Sequence, residues 1–599
     1  MRIRRVDIEN FRGIQAASWR LPPGQRFFAL IGPGDSTKTT VLTAIERALH
    51  DRTGQGVMDT DFFNVDVSQP IRIRVAVDEL PDELIAMDAF GGFLAGIDAD
   101  GEWTHDPGEE SERCVIIEYR VEDDLEAVWQ SYRPPLEGLD DEEPQPIRAK
   151  HRSRMTAYRI DDRIDAHLRW SRTSSLGKLT ASRDDTRSTL TEAGRAARIA
   201  AAGALTEALK TLADDVKKQV QAIGTTEFTD LKPGLDLSLT NAQGNLALFE
   251  GDVPLMNFGL GTRRLTGAAT QQLANQGGAT LLVDEVEHGL EPHRLVHLLH
   301  HLRTSEAFSQ VFVTTHSPTA LQHLEPEELI MVRSVAGETT LRPLDSPADL
   351  RPLLKTVPAA FLARRIIVNE GKTELGMALE LSDTWNKGEL VPSAALGVHA
   401  VEGGGTESPA RARQLRRAGY QVVLFIDSDS EAINKRVPDL RELGVAVVQW
   451  GDGHCIETAV CAELDEVGLT EFILAALQIA DDPESARQSY AGKLVSLEAP
   501  GTKVGADPLD VTTWLGAGVD LEKARTIVGT AAKSQSWFKR VDLGRHLARF
   551  ILESPQLQHG AVRATLDELK AAIYTRPQPA LEQASSGEVL QKSAERAGA

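Results

Sequence analysis

Two constellations in this 599-residue chain have residue types and spacing suited to phosphate chemistry. In the first, Gly32-Pro33-Gly34-Asp35-Ser36-Thr37-Lys38-Thr39-Thr40 lies between a buried-strand pattern at 27–31 and a helical pattern at 38–49. It departs at one position from G-x-x-x-x-G-K-[ST], the loop whose backbone amides, with the N-terminus of the next helix, cradle phosphates. Gly32, Gly34, Asp35, Ser36, Thr37, Lys38, Thr39 and Thr40 are therefore the expected ATP-binding positions. Lys38 would reach the β- and γ-phosphates and Thr39 would ligate Mg2+. Thr37 stands where the second glycine is expected, and a β-branched residue is penalised there if φ must be positive or the phosphates must come close. A loop that binds ATP poorly is the alternative reading. Far downstream, Thr280-Leu281-Leu282-Val283-Asp284-Glu285 is an apolar strand ending in two acids. Asp284 would hold Mg2+ through water, and Glu285 would orient or deprotonate the attacking water. A solvated strand end would explain Asp-Glu alone.

The second constellation is acidic. Ile366 to Val368 is an apolar run that leads through Asn369 to Glu370, with Glu374 four residues later; a second buried-strand pattern, Val422 to Ile426, delivers Asp427-Ser428-Asp429. D-x-D spacing puts two carboxylates on one side of a strand end. Two acid groups converging from strand ends offer hard oxygen ligands to hard cations. Two such ions would activate water and stabilise the leaving oxygen of a phosphodiester. D-x-D by itself is more often a solvated turn. The ordered set Glu370, Glu374, Asp427 and Asp429 within β-α-β patterning is a much stronger signal.

The elements that must position these groups can be read from periodicity. Strands are expected at 2–8, 27–31, 71–77, 115–119, 279–283, 310–314, 365–369 and 422–426, with helices at 38–49 and 291–303 and further helices running towards 580. Residues 136–146 read as an acidic loop, and 188–222 as long amphipathic helices with apolar positions from Ala200 to Val220. The domain plan that follows is an N-terminal ATPase part at 1–155, a helical insertion at 156–235 serving dimerisation, a second ATPase part at 236–350, an acidic α/β domain at 360–580, and a tail at 581–599. No internal repeat is visible.

The order of further segments resembles that of ABC-type ATPases. Glu287-His288-Gly289-Leu290-Glu291-Pro292 stands where they carry a D-loop; Thr314-Thr315-His316-Ser317-Pro318 is similar to their switch-histidine segment. Asn257-Phe258-Gly259-Leu260-Gly261-Thr262-Arg263-Arg264 resembles a degenerate signature motif, and Asn10-Phe11-Arg12-Gly13 resembles the opening of RecF- and OLD-type ATPases. The resemblance implies His316 as a nucleotide-site residue and a head-to-head homodimer or higher oligomer. The segment from Ile366 to Glu374 resembles the opening of Toprim domains. With Val401-Glu402-Gly403-Gly404-Gly405 and Trp450-Gly451-Asp452-Gly453-His454-Cys455-Ile456-Glu457, the resemblance narrows to OLD-family nucleases, class 2, which include the nuclease subunit of Gabija defence systems. It implies Glu457 as a further metal carboxylate, although an acid in a helix's first turn also suits the macrodipole. Trp537-Phe538-Lys539-Arg540 looks like the segment with that family's active-site lysine, which would be Lys539. The implied fold class is α/β, an ABC-type P-loop ATPase with a helical dimerisation insertion followed by a Toprim domain with helical additions. The implied function is ATP-regulated DNA cleavage with two Mg2+ or Mn2+ ions, Ca2+ serving as a structural mimic, in phage defence or DNA processing and with a helicase-like partner.

Composition narrows the alternatives. With 41% hydrophobic, 26% charged and 5% aromatic residues, the chain reads as an ordinary globular protein. No apolar run of about eighteen residues and no signal-peptide pattern occurs, which leads to the expectation of a cytoplasmic protein without a membrane partner. Three cysteines without CxxC spacing indicate neither a disulfide framework nor a zinc site. A net charge of −23 argues against a general phosphate-binding surface, so a DNA groove must be local or completed by a partner. A competing function is an ATP-gated DNA clamp or scaffold of RecF type without cleavage. A scaffold has no need for several carboxylates that repel DNA and one another. A topoisomerase-type Toprim enzyme would need a nucleophilic tyrosine, and none of the six stands in a recognisable motif.

Overall fold

The computed structural model describes residues 1–574 except 50–55, 88, 137–143, 153, 156, 161–195, 197–198, 201–202, 204, 225–227, 237–244, 275–278, 345–346, 387–390, 452 and 500–506. The chain divides into two units, Met1–Leu362 and Ala363–Ala599.

In the first unit, the central strands are predominantly apolar because they are covered on both faces. Phe27–Ile31 is buried at every position. It pairs in parallel with Phe308–Thr314 on one side and Leu329–Val335 on the other. Phe308–Thr314 pairs with Ala279–Val283, and that strand with Ala157–Ile160, again in parallel. The antiparallel arm of the same sheet, built on Arg2–Phe11, Ile14–Arg20, Ile71–Asp78 and Glu112–Val121, contains the more alternating sequences. Stacked Phe28 and Phe312 rings, 4.9 Å apart, and an edge-on Trp19 fill the core where arm and parallel block meet. Gly32 ends the central strand at φ 145°, and a Cβ there would lie 2.4 Å from the Val332 carbonyl oxygen. Only glycine lets the loop turn away beneath the neighbouring strand.

The expected strands at 27–31 and 279–283 coincide with observed ones, and those at 2–8, 71–77 and 115–119 lie within longer strands. The helix Glu207–Ile223 overlaps the expected amphipathic stretch and ends one residue beyond it, burying Ala213, Val216, Val220 and Ile223. Much of the span 156–235, with its role in dimerisation, lies outside the described residues, as does the tail 581–599 and most of the acidic loop. Within that span, Ala157–Ile160 joins the main sheet of the first unit, paired to the strand that leads into Asp284. Four residues are too few for periodicity to reveal a strand. No helix among the described residues is long and apolar enough to cross a membrane.

The second unit has four parallel strands in the order Val398–Glu402, Arg365–Asn369, Gln421–Ile426, Ala446–Gln449. The first strand in sequence lies inside the sheet, so the connections leave it in opposite directions. This opens a crevice at the carboxyl ends of Arg365–Asn369 and Gln421–Ile426, the usual place for ligands in open α/β sheets. Helices Lys372–Trp385 and Val541–Glu553 cross with unusually little space. A Cβ on Gly376 would stand 2.1 Å from the Val541 carbonyl oxygen, and one on Gly544 would stand 2.3 Å from that of Thr373. Thr373 Oγ1 also donates to the Phe538 carbonyl oxygen at 3.0 Å. This crossing secures residues 538–540 beside the crevice. Cys455 and Cys461 are buried free thiols here, as Cys114 is in the first unit.

Candidate functional site

In the first unit, the loop after Phe27–Ile31 delivers Lys38 to the first turn of helix Lys38–Ala48. The Lys38 ammonium donates to the carbonyl oxygens of Gly32 at 3.1 Å and Pro33 at 2.8 Å, and to Ser36 Oγ at 3.1 Å. Burial pushes its pKa down to about 8 against the fields of Asp35, Asp284, Glu285 and Glu287. A buried ammonium facing backbone carbonyls suits a loop whose incoming phosphates supply stronger acceptors. Thr37 adopts φ 67°, as does Asp35 at φ 60°, so the loop demands the positive φ that Thr37 accepts only with strain. Thr37 Oγ1 bonds the Ser36 carbonyl oxygen at 2.6 Å and lies 3.2 Å from Thr339 Oγ1, contacts that help hold this conformation. Gly34 and Thr40 complete the loop and the first helical turn.

Asp284 follows its strand into this site. Its Oδ1 accepts from Thr39 Oγ1 at 3.0 Å and Thr314 Oγ1 at 2.7 Å; its Oδ2 accepts from Arg159 at 2.6 Å. Arg264, in the signature-like segment, donates to the Asp284 carbonyl oxygen at 2.5 Å. Glu285 has φ 46° and lies 3.3 Å from His288 Nδ1. The Glu287 carboxylate accepts from Thr315 Oγ1 at 2.7 Å and the His316 amide at 2.6 Å, tying the D-loop-like and switch-like segments together. Burial lowers the His316 pKa, assisted by Lys38 and opposed by Glu287, Glu285 and Asp284. A Cβ on Gly261 would lie 2.3 Å from the Gly289 carbonyl oxygen, so the signature-like helix also presses against this cluster. The expected nucleotide residues are thus gathered in one place.

The second unit assembles acids at the crevice. Glu370 continues its strand by donating its amide to the Phe425 carbonyl oxygen at 2.8 Å, and its Oε2 accepts from the Asp427 amide at 2.9 Å. Asp427 Oδ1 in turn accepts from the Ile456 amide at 3.2 Å, at the start of helix Ile456–Glu463. Glu374 Oε2 caps its own helix through the Gly371 amide at 2.9 Å. Glu374 is 5% and Glu457 7% exposed. Burial raises the pKa of all four acids. Asp427 is raised furthest, after burial by the fields of Glu374, Glu370, Glu457 and Asp429. Lys539 and Lys533 act in the opposite sense on Glu370 and Glu457. Arg540 instead pairs with Asp481 at 2.6 Å and Asp542 at 2.5 Å. The Lys533 ammonium pairs with Asp429, a contact for which the sequence provides no motif.

Five acids from three strand-end regions therefore lie around one crevice. A donor set made of carboxylate oxygens suits a hard divalent cation, and the mutual destabilisation of buried acids is what such a cation would relieve. No group of three or more His, Cys, Asp or Glu side chains among the described residues is closed up as a ready metal shell. Two participants escaped sequence reading, Arg159 and Lys533. Each acts through a tertiary contact and stands in no phosphate or metal motif.

The first unit has the sheet, loop and paired strand-end acid of a P-loop ATPase domain. Residues 27–322 match the family model described as "AAA domain, putative AbiEii toxin, Type IV TA system". No curated protein matches the chain. Among solved structures, a structural-maintenance-of-chromosomes head bound to the C-terminal winged-helix domain of ScpA is 13% identical, with a TM-score of 0.34, covering 57% of this chain and 97% of that one. The SMC head domain from Thermotoga maritima is 12% identical, with a TM-score of 0.29, covering 58% of this chain and 100% of that one. An SMC head with an extended coiled coil bound to the ScpA C-terminal domain, from Pyrococcus furiosus, is 12% identical at a TM-score of 0.34, covering 59% and 98%.

Proposed function

We propose that the chain is a metal-dependent DNA endonuclease of the OLD type, in which an ABC-type ATPase domain regulates a Toprim active site. The observation that carries this reading is the convergence of Glu370, Glu374, Asp427 and Glu457, largely buried and raised in pKa by that burial, at the switch point of a four-stranded parallel sheet. These acids, with Asp429, would hold one or two Mg2+ or Mn2+ ions, which supply a polarised phosphoryl group and an activated water. Asp427 and Glu370 orient one another through the Asp427 amide, and the helix at Ile456 holds the other face of Asp427. Lys539, fixed by the helix crossing, would stabilise charge on the phosphate. In the first unit, Lys38 and the loop amides would bind ATP, Thr39 and Asp284 would hold its Mg2+, and Glu285 would orient water. His316 would sense the γ-phosphate. A homodimer with signature segments closing over partner nucleotides, phage defence, and a helicase-like partner follow from the same resemblance.

The test uses supercoiled plasmid with Mg2+ or Mn2+, with and without ATP. Nicking or linearisation by the wild type that disappears in Asp427→Ala supports the reading, and the ATP lanes give the sign of regulation. The open arrangement of the acids keeps one rival alive, an ATP-gated DNA clamp. ATP-dependent DNA binding with no cutting under either metal would select it.

A further inference from the structure

Arg159 lies on the short strand at the edge of the parallel block, beside the strand that ends in Asp284. Its side chain is 5% exposed. One guanidinium nitrogen, Nη1, donates to Thr43 Oγ1 at 2.8 Å and Glu46 Oε2 at 2.9 Å, both on the helix that follows the phosphate loop. The other, Nη2, donates to Asp284 Oδ2 at 2.6 Å. Asp284 Oδ1 is meanwhile taken by the Thr39 and Thr314 hydroxyls. The carboxylate is thus held at both oxygens, and its plane cannot turn. A planar fork of donors can bridge a strand end and a helix in this way; an ammonium, being a single point, cannot replace it at both.

We propose that Arg159 is a positioning residue of the magnesium–nucleotide site: by holding Asp284 Oδ2 it keeps Oδ1 facing the Thr39 hydroxyl, and so sets the affinity of the site for the cation of bound nucleotide. The inference rests on the ATP-binding reading of the loop and is independent of the nuclease reading. Glu46 shows why the contact is more than a structural ion pair. A single partner on the helix would suffice to neutralise a buried arginine, yet the guanidinium is shared with the acid expected to serve Mg2+. Partners that orient a metal-site carboxylate from behind tune metal affinity without touching the metal themselves.

The experiment is equilibrium binding of a fluorescent ATP analogue to the full chain, in EDTA and across a Mg2+ titration. In Arg159→Gln, the Mg2+ concentration that half-saturates tight nucleotide binding should rise about tenfold or more, with metal-free nucleotide affinity unchanged. Arg159→Lys should recover part of the difference. Glu46→Gln, which removes only the helix partner, should stay close to wild type. An unchanged Mg2+ requirement in Arg159→Gln overturns the proposal, and so does a lower one, which would make Arg159 a competitor of the cation. If Arg159→Gln does not fold, Arg159→Lys against wild type reads the same quantity. Absence of nucleotide binding by the wild type would instead remove the ATP-binding reading itself.

Discussion

The two phosphate-chemistry sites solve the problem of holding acids in opposite ways. At the nucleotide site, Asp284 has a guanidinium on one oxygen and two hydroxyls on the other, while the Lys38 ammonium rests on carbonyl oxygens. That arrangement is satisfied by the chain's own groups and keeps its shape without a ligand. At the crevice of the second unit, Glu374 and Glu457 are buried and Glu370 and Asp427 half-buried, held by backbone amides and, at Glu457, by the Cys455 thiol, while lysines act on them from the rim. Their mutual repulsion is balanced by folding elsewhere. The contrast teaches that the first site can be read from its hydrogen bonds, whereas the second makes chemical sense only with a cation added.

The largest expected effect attacks the frame of the second site. Gly544→Val would force apart helices that approach to backbone contact, destabilising this unit by about 3 kcal/mol or more in chemical denaturation. A wild-type midpoint would refute the close crossing. Next, a divalent cation at a concentration about a hundred times its Kd should stabilise the wild type by about 2.7 kcal/mol, and not Asp427→Asn. A third effect runs against the usual cost of losing a buried polar side chain. In EDTA near pH 7, Asp427→Asn should be more stable than the wild type by about 1 kcal/mol or more, because folding drives the Asp427 carboxyl to take up a proton and the amide is spared that cost. A loss of stability would mean the acids are structurally paired and would erase the contrast.

pH sharpens the same comparison. Buried acids whose folded pKa is raised contribute stability that is complete below their unfolded values, about 4, and is lost as pH rises through the folded values. Glu374, pushed up to about 7 by burial and by Glu457 and Glu370, sets the first part of the window, and Asp427, pushed up to about 10, extends it. Metal-free protein should therefore lose stability between roughly pH 4 and pH 7 from Glu374, and beyond that from Asp427, and added Mg2+ should flatten the trend in thermal melts. A slope of opposite sign in EDTA would overturn the assignment. The smallest effect belongs to the first site. Thr37→Gly removes a β-branched residue from φ 67° and should stabilise the nucleotide loop by about 1 kcal/mol, with tighter ATP binding. Weaker binding would show that the Thr37 contacts to Ser36 and Thr339 outweigh the strain.

Much of this architecture was legible along the chain. Phe27–Ile31, Ala279–Val283 and Arg365–Asn369 coincide with expected strands because short runs with apolar, mostly β-forming centres leave little choice. Glu370 and Asp427 were legible because each follows such a strand directly, whereas Glu374 and Asp429 were read from spacing and Glu457 from resemblance. Other features were not. The strands Leu329–Val335 and Glu338–Pro343 pair through a hairpin that joins the antiparallel arm to the parallel block, and their alternation is interrupted by charged and small residues. Lys533 was passed over because it stands on an ordinary amphipathic helix, and its meeting with Asp429 spans more than a hundred residues.

The sequence by itself determined which residues could do phosphate chemistry, and which strands and helices would hold them, because those properties are set by neighbours within a few positions. Tertiary structure alone decided what each charge faces. It placed Arg159 behind Asp284, brought the Gly376 and Gly544 helices into contact, and gathered acids from distant segments at the sheet's switch point. Fields and hydrogen bonds depend on separation in space, and chain separation does not encode that distance until the sheet has formed.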